Sequence, residues 1–215
     1  MQKIITLFRR NSDGDRLVRD ELTPGAEWVK DGEGMATRKY DGTACLFHGD
    51  ILWKRYDVKA VKITPGMPVK AVKVTPALFL PAEDSPDPQT GHWPGWLPVG
   101  KGPEDRWRRE AFALGHDADG FSFHEGQTYE LCGPKVQGNP EEFRGHVLVR
   151  HSAVILANFP RTYGAIRDAL AQAPHIEGVV WHHADGRMVK IKMRDFGLKR
   201  QPCATAENPF FALGA

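Results

Sequence analysis

Lys39-Tyr40-Asp41-Gly42 sets a lysine two residues before an acid and a glycine, and four further motifs follow it in order. They are Lys54-Arg55, Tyr129-Glu130-Leu131-Cys132-Gly133, Glu177-Gly178-Val179-Val180 and Lys190-Ile191-Lys192. Each alone is an ordinary surface pattern, and a Lys-x-Asp-Gly is usually a polar turn. Together they supply an amine nucleophile, cations suited to phosphate and carboxylates suited to a metal ion. Transfer of a nucleotide through a lysine adduct requires that set. An amine attacks only when neutral, whereas free lysine has a pKa of about 10.4. Burial and neighbouring cations lower it. Bringing it to about 7.5 takes on the order of 4 kcal/mol. Lys190, Lys192 and a bound Mg²⁺ are the expected sources of that push. Gly42 and the turn at Asp41 would let the backbone approach a phosphate closely. Attack on an α-phosphate would give a phosphoramidate and release pyrophosphate, a step governed by positioning and charge neutralisation.

The last two motifs belong to one hairpin. Glu177–Trp181 and Met188–Met193 flank His183-Ala184-Asp185-Gly186-Arg187, and Asp-Gly is the preferred pair for a two-residue type I′ turn. That turn would oppose Trp181 to Lys190, Val179 to Lys192 and Glu177 to Arg194. Glu177, Lys190 and Lys192 would then project from one face, the lysines roughly 6.6 Å apart, with Val180, Ile191 and Met193 on the other. His182 and His183 would face opposite ways, as packing or surface residues rather than metal ligands.

The remaining chain must place these groups. Residues 1–8 read as a strand, with a polar turn at Asn11-Ser12-Asp13-Gly14. Residues 43–47 and 51–53 form apolar runs around His48-Gly49-Asp50, which predicts a hairpin. The proline-rich stretch 64–103 reads as irregular, with one short strand near Val72–Val74 that Ala77–Leu80 could extend. A helix is expected over 104–114, with Trp107, Ala111 and Leu114 on one stripe, and another over 161–173, with Tyr163, Ile166 and Leu170 inward. Strand is expected over 121–131, broken at 125–127, and over 147–156. The fold class is therefore α+β with antiparallel sheets.

With 215 residues and 41% hydrophobic content, the chain can build a real core. A net charge of +2 excludes a histone-like or tail-driven binder and leaves room for a local basic groove. Six Lys/Arg face one acid between Lys54 and Lys73, and six face Asp195 between Arg187 and Arg200. Three scattered cysteines suit neither a disulfide framework nor a zinc site. Without a signal-peptide pattern or a long apolar run, a cytoplasmic location and no membrane partner are expected.

The ordered motifs resemble the covalent nucleotidyltransferase superfamily of polynucleotide ligases and capping enzymes. With Gly91-His92-Trp93-Pro94-Gly95-Trp96 and Leu131 to Pro140, the chain more closely resembles small ATP-dependent 5′-to-3′ RNA ligases, over about residues 1–200. The resemblance implies a nucleotidyltransferase domain at 1–200 and a tail at 201–215. It implies ATP and Mg²⁺ as cofactors, with Mn²⁺ as a substitute, and RNA 5′-phosphate and 3′-hydroxyl ends as partners, with no obligate protein partner. Lys39 would accept AMP, with Asp41 and Gly42 its motif companions. Arg55, helped by Lys54, would bind ribose or a 5′-phosphate. Glu130 would contact ribose or the metal, Glu177 would bind the metal, and Lys190 and Lys192 would hold the α-phosphate. The family's second motif is usually Ser-Arg-x-Gly but reads Lys54-Arg55-Tyr56-Asp57 here. The chain ends 23 residues after Lys192, too few for the oligonucleotide-binding domain of capping enzymes and many DNA ligases, which favours RNA ligation. A DNA ligase, a capping guanylyltransferase and a non-catalytic nucleic-acid-binding module remain the competing readings. Lys59, Lys62, Lys70, Lys73, Arg106, Arg108 and Arg109 are candidate phosphate contacts. Trp93 and Trp96 are candidates for base stacking or for packing in the core.

Overall fold

A computed structural model describes residues 4–58, 76–87 and 91–201. In chain order, the elements are β1 (Ile5–Thr6), β2 (Phe8–Arg10), β3 (Val18–Leu22), α1 (Glu27–Lys30), β4 (Met35–Lys39), β5 (Thr43–His48) and β6 (Ile51–Val58). There follow β7 (Leu80–Pro81), β8 (Trp93–Pro98), α2 (Arg106–Phe112), β9 (Thr128–Cys132), β10 (Val147–Arg150), α3 (Tyr163–Gln172), β11 (Gly178–His182) and β12 (Met188–Lys192). One sheet has the order β1-β12-β11-β4, a second the order β10-β9-β5-β6-β8-β7, and β2-β3 form a separate hairpin. Every pairing is antiparallel except β1 with β12, so the α+β expectation holds with one parallel edge.

Each sheet buries one face. Behind the four-stranded sheet, Val179, Trp181, Val189 and Ile191 pack with Trp28 and Val29 of α1 and with Ile166 and Leu170 of α3. The helical spacing read from 161–173 places Ile166 and Leu170 at 0% exposure, each contributing about 1.5–3 kcal/mol. The six-stranded sheet packs Cys45, Leu52, Tyr129, Leu131 and Leu148 against Ala111 of α2. Leu114 does not join that stripe. It lies past the end of α2 and is exposed.

The hairpin expected from 43–47 and 51–53 forms, with His48 opposite Ile51 and its second strand running on to Val58. Gly49 and Asp50 both have φ of 59°, as a two-residue type I′ loop demands. The last hairpin departs from expectation. Gly178 pairs with Lys192, Val180 with Lys190 and Trp181 with Val189, one residue out of the anticipated register. Its loop is three residues long, because His183 N–H donates to Arg187 O and Gly186 N–H to His183 O, with Gly186 at φ 91°. A turn followed by a left-handed glycine is the usual three-residue alternative to the type I′ turn.

The proline-rich segment also departs from expectation, since Trp93–Pro98 is a six-residue strand between β6 and β7. Val99 N–H donates to Leu52 O while Ala82 N–H donates to Pro94 O. Backbone groups alternate along a strand, so the missing N–H of Pro94 and Pro98 falls toward short β7, where little pairing is lost. The strand expected at 72–74 lies outside the described residues, as do Lys59, Lys62, Lys70 and Lys73. Residues 121–124 are not strand, and β10 stops at Arg150, before a turn at 151–152. Among the described residues, no helix is long and apolar enough to cross a membrane.

Candidate active site

The Lys39 motif is the crossing point between the sheets. Lys39 ends β4 in the four-stranded sheet, and Tyr40-Asp41-Gly42 carries the chain into β5 of the six-stranded one. Gly42 N–H donates to Glu130 Oε1 at 3.0 Å. A Cβ at Gly42 would run into the Leu131 carbonyl oxygen and crowd Glu130 Cγ. Close approach to β9, rather than to a phosphate, is therefore the constraint on Gly42 seen here.

Lys39 pairs with Gly178, which pairs with Lys192, and Thr37, Val180 and Lys190 form the next row on the same face. Val180 thus sits beside the lysines and not opposite them, a consequence of the shifted register. Glu177 precedes β11, where strand alternation does not dictate its direction, and it reaches the lysine face. Its Oε2 accepts from Lys39 Nζ at 2.6 Å and its Oε1 from Lys192 Nζ. A Cβ at Gly178 would strike the Ile191 carbonyl, so glycine is what lets these strands close up.

A cavity of about 330 Å³ opens between the sheets, within the usual size of a ligand site. The four-stranded sheet contributes Thr37, Lys39, Val180, His182, Met188 and Lys190. Facing them are Ala44, Thr128, Glu130, His151 and Ser152. His151 Nε2 is 2.9 Å from Glu130 Oε2, and its Nδ1 is 2.8 Å from Thr128 Oγ1. Thr37 Oγ1 donates to Val180 O at 3.1 Å and lies 3.0 Å from His182 Nε2.

The electrostatics differ from the expected neutral amine. Burial, the largest influence on Lys39, favours losing the proton, but Glu177, Glu130 and Asp41 outweigh it and hold the pKa above its ordinary value. Lys39 is therefore an ammonium here. The cleft amine that sheds its proton most readily is Lys190, brought down to about 8 by burial and then by Lys192 and Lys39. Glu177 sits below the ordinary carboxylate value. Burial opposes that shift, and Lys39 and Lys192 prevail. Asp41 is raised by burial and by Glu177. Burial and His151 keep His182 below its ordinary value.

Lys54 and Arg55 part company. Lys54 pairs with Cys45 on the face that packs α2, and its Nζ lies 2.5 Å from Oδ2 of fully buried Asp105. It does not line the cavity, although a binding role was expected of it. Arg55 takes the other face, opposite Trp96 in register, with its guanidinium 5.4 Å from that ring. Arg55 continues the row of Ala44 and Glu130, about two strand spacings, or roughly 10 Å, from the acid.

Trp96 is 2% exposed, so it packs inside rather than offering a stacking surface, and Trp93 Nε1 donates to Glu83 O. Arg108 contacts Asp105 and Thr43, Arg109 donates to two backbone carbonyls, and Arg106 lies over Trp107. His183 leaves the hairpin opposite to His182 and meets Glu33 and Asp185. His182 was missed as a cavity residue, although it lies two residues beyond Val180 in strand alternation. His151 follows β10 in a turn and carried no sequence signal.

Among the described residues, no cluster of three or more His, Cys, Asp or Glu could hold a metal ion unaided. Glu130 and Glu177 are acids of the kind Mg²⁺ takes, an ion that binds through one or two carboxylates and keeps its remaining positions for water and phosphate.

A family model described as RNA ligase 1 matches residues 117–207. RNA ligase 1 of Pongo abelii is 30% identical over 139 residues, 51% of this chain and 42% of that protein, and RNA ligase 1 of Mus musculus gives the same figures. RNA ligase 1 of Danio rerio is 28% identical over 220 residues, covering 76% of this chain and 67% of that protein. The chain spans about two fifths of the length of the two mammalian relatives. It is similar to RNA ligases over these spans, and the stretch matched by the family model carries Glu130, Glu177, Lys190 and Lys192.

Proposed function

We propose that the chain is an ATP- and Mg²⁺-dependent RNA ligase working through a lysyl-AMP intermediate on Lys39. The observation that carries this reading is the convergence of Lys39, Glu177 and Lys192 from three segments, beside a cavity that Lys39, Lys190 and Glu130 line from both sheets. The similarity to RNA ligase 1 supplies the substrate class.

The Lys39 nitrogen attacks the α-phosphorus of ATP, a P–N bond forms, and the P–O bond to pyrophosphate breaks. Glu177 and Glu130 would hold Mg²⁺, which would supply neutralisation of the charge that develops on the phosphates. With the charge of Glu177 engaged there, burial and the neighbouring lysines favour a neutral Lys39, whose proton leaves to solvent through the cavity. Lys190 and Lys192 hold the α-phosphate oxygens. The RNA 5′-phosphate then displaces Lys39 from AMP, and a 3′-hydroxyl displaces AMP to form the phosphodiester. Arg55, on the same sheet face as Glu130, would meet the RNA phosphate.

Intact-mass measurement after incubation with ATP and Mg²⁺ tests the assignment. Wild type gains one adenylyl group that acid removes, and Lys39→Ala gains none. An unmodified wild type, or equal labelling of Lys39→Ala, overturns it. α-Labelled GTP in place of ATP, and nicked DNA in place of RNA, separate capping and DNA ligation from the proposed reaction.

A further inference from the structure

The segment from Cys132 to Pro140 stands out in the sequence, yet none of its side chains enters the cavity between the sheets. It leads into Glu141, a carboxylate with 1% exposure. Glu141 Oε2 accepts from Arg38 Nη2 at 2.8 Å, and Oε1 accepts from Asp41 N–H at 2.9 Å. Arg200, beyond the last hairpin, brings Nη2 to 2.9 Å from Glu141 Oε1 and Nη1 to 3.8 Å from Asp41 Oδ2. Arg200 is itself held by donation from Nε to His175 O. One buried carboxylate therefore grips the chain one residue before Lys39 and two residues after it.

The loop that presents Glu141 is built to hold one shape. Gln137, Asn139 and Glu142 all adopt left-handed backbone, with φ of 49°, 56° and 56°. Non-glycine residues there cost of order 1 kcal/mol or more each and persist only where the surroundings impose them. The Asn139 amide both donates to Phe143 O and accepts from Phe143 N–H. Val136 N–H donates to Gly133 O, and Asn139 N–H to Val136 O. A loop needed only as a connection would not require such conformations.

We infer that Glu141 is a positioning residue for Lys39, clamping the Arg38–Asp41 segment on either side of that lysine with Arg200 as its brace. This rests on the ligase reading. Arg38 and Lys39 are strand neighbours and point to opposite faces. Fixing Arg38 and the Asp41 amide therefore fixes the direction in which the Lys39 amine enters the cavity. A misplacement of about 1 Å at a reacting atom can lower a rate on the order of 100-fold.

The experiment is single-turnover formation of lysyl-AMP by the full chain at a series of ATP concentrations, for wild type, Glu141→Gln, Arg200→Gln and the double variant. Melting temperatures are measured alongside. The clamp predicts a rate constant at saturating ATP lowered on the order of 10- to 100-fold in Glu141→Gln. Half-saturating ATP changes little, because the nucleotide contacts are untouched. The double variant falls no further than Glu141→Gln, since Arg200 acts through that carboxylate. A purely structural role instead lowers the melting temperature and the amplitude of AMP incorporation while the rate constant stays at the wild-type value, and that result overturns the inference. If Glu141→Gln does not fold, Arg200→Gln, which leaves the Arg38–Glu141 pair in place, decides the matter by the same rate constant. Wild type that takes no AMP overturns the ligase reading and this inference with it. Wild-type rates in the variants of an active enzyme overturn this inference alone.

Discussion

Glu177 Oε2 stands 2.6 Å from the Lys39 amine, an ion pair in which neither side chain is more than one fifth exposed. Its other oxygen is held by Lys192, so one carboxylate fixes two lysines that arrive on different strands. The proposed nucleophile is thus stored as its charged form.

The first prediction concerns that storage. In Glu177→Gln the acid that most raises Lys39 is gone, while burial and two neighbouring lysines remain. The Lys39 pKa falls, as followed by NMR titration of ¹³Cε-labelled lysine. Lysyl-AMP formation falls as well, on the order of 100-fold, because the proposed mechanism uses Glu177 as a metal-side carboxylate. An unshifted Lys39 would refute the electrostatic account.

The second concerns pH and stability. Lys39 is raised above 10.5, so its share of the pair's stabilisation is complete below that value and is lost as pH rises through the folded value. Glu177 is depressed below 4.5, so its share is complete above 4.5 and is lost as pH falls through the folded value. Lys190 runs the other way. Its value of about 8, against an ordinary 10.5, makes its contribution unfavourable below pH 8 and progressively relieved from there to pH 10.5. Lys190→Met should melt higher than wild type at pH 7 by roughly 3 °C. That advantage should shrink between pH 8 and 10.5 in thermal scans.

Lys54 and Arg55 provide the third. Lys54→Ala removes one of two cations from the buried Asp105 carboxylate, leaving Arg108, and destabilises by about 1–3 kcal/mol, read from denaturant unfolding, yet folded protein still forms lysyl-AMP at close to the wild-type rate. Arg55→Ala should cost little stability and lower sealing of RNA ends instead. If Lys54→Ala abolishes lysyl-AMP formation in folded protein, the assignment of its side chain to the α2 face is wrong.

Gly42→Ala and Gly178→Ala form the fourth. In each, the new methyl meets a backbone carbonyl that cannot swing aside, Leu131 in the first and Ile191 in the second. Destabilisation of about 1–3 kcal/mol is expected in both, measured by urea unfolding, together with lost adenylylation because each strand carries a site residue out of place. Wild-type stability in either variant would show that the strands part without penalty.

The sequence by itself determined which chemical groups were available and in what order. Residue type settles whether a side chain can attack, bind phosphate or hold a metal, so Lys39, Glu130, Glu177, Lys190 and Lys192 were legible at once as candidates. Local pattern also set α3 and the 43–58 hairpin, since periodic burial and a Gly-Asp turn act over a few residues. Only the tertiary structure decided the rest. One extra residue in the Ala184–Gly186 loop moved Val180 onto the lysine face, because the side-chain period of a strand is two and a slip of one inverts it. Lys54 left the site because face is set by strand pairing, which Asp105 completes from 51 residues away. Glu141 and Arg200 came to Lys39 across 102 and 161 residues of chain (141 − 39 and 200 − 39). Contacts at that separation are chosen by packing, and no short window of sequence contains them.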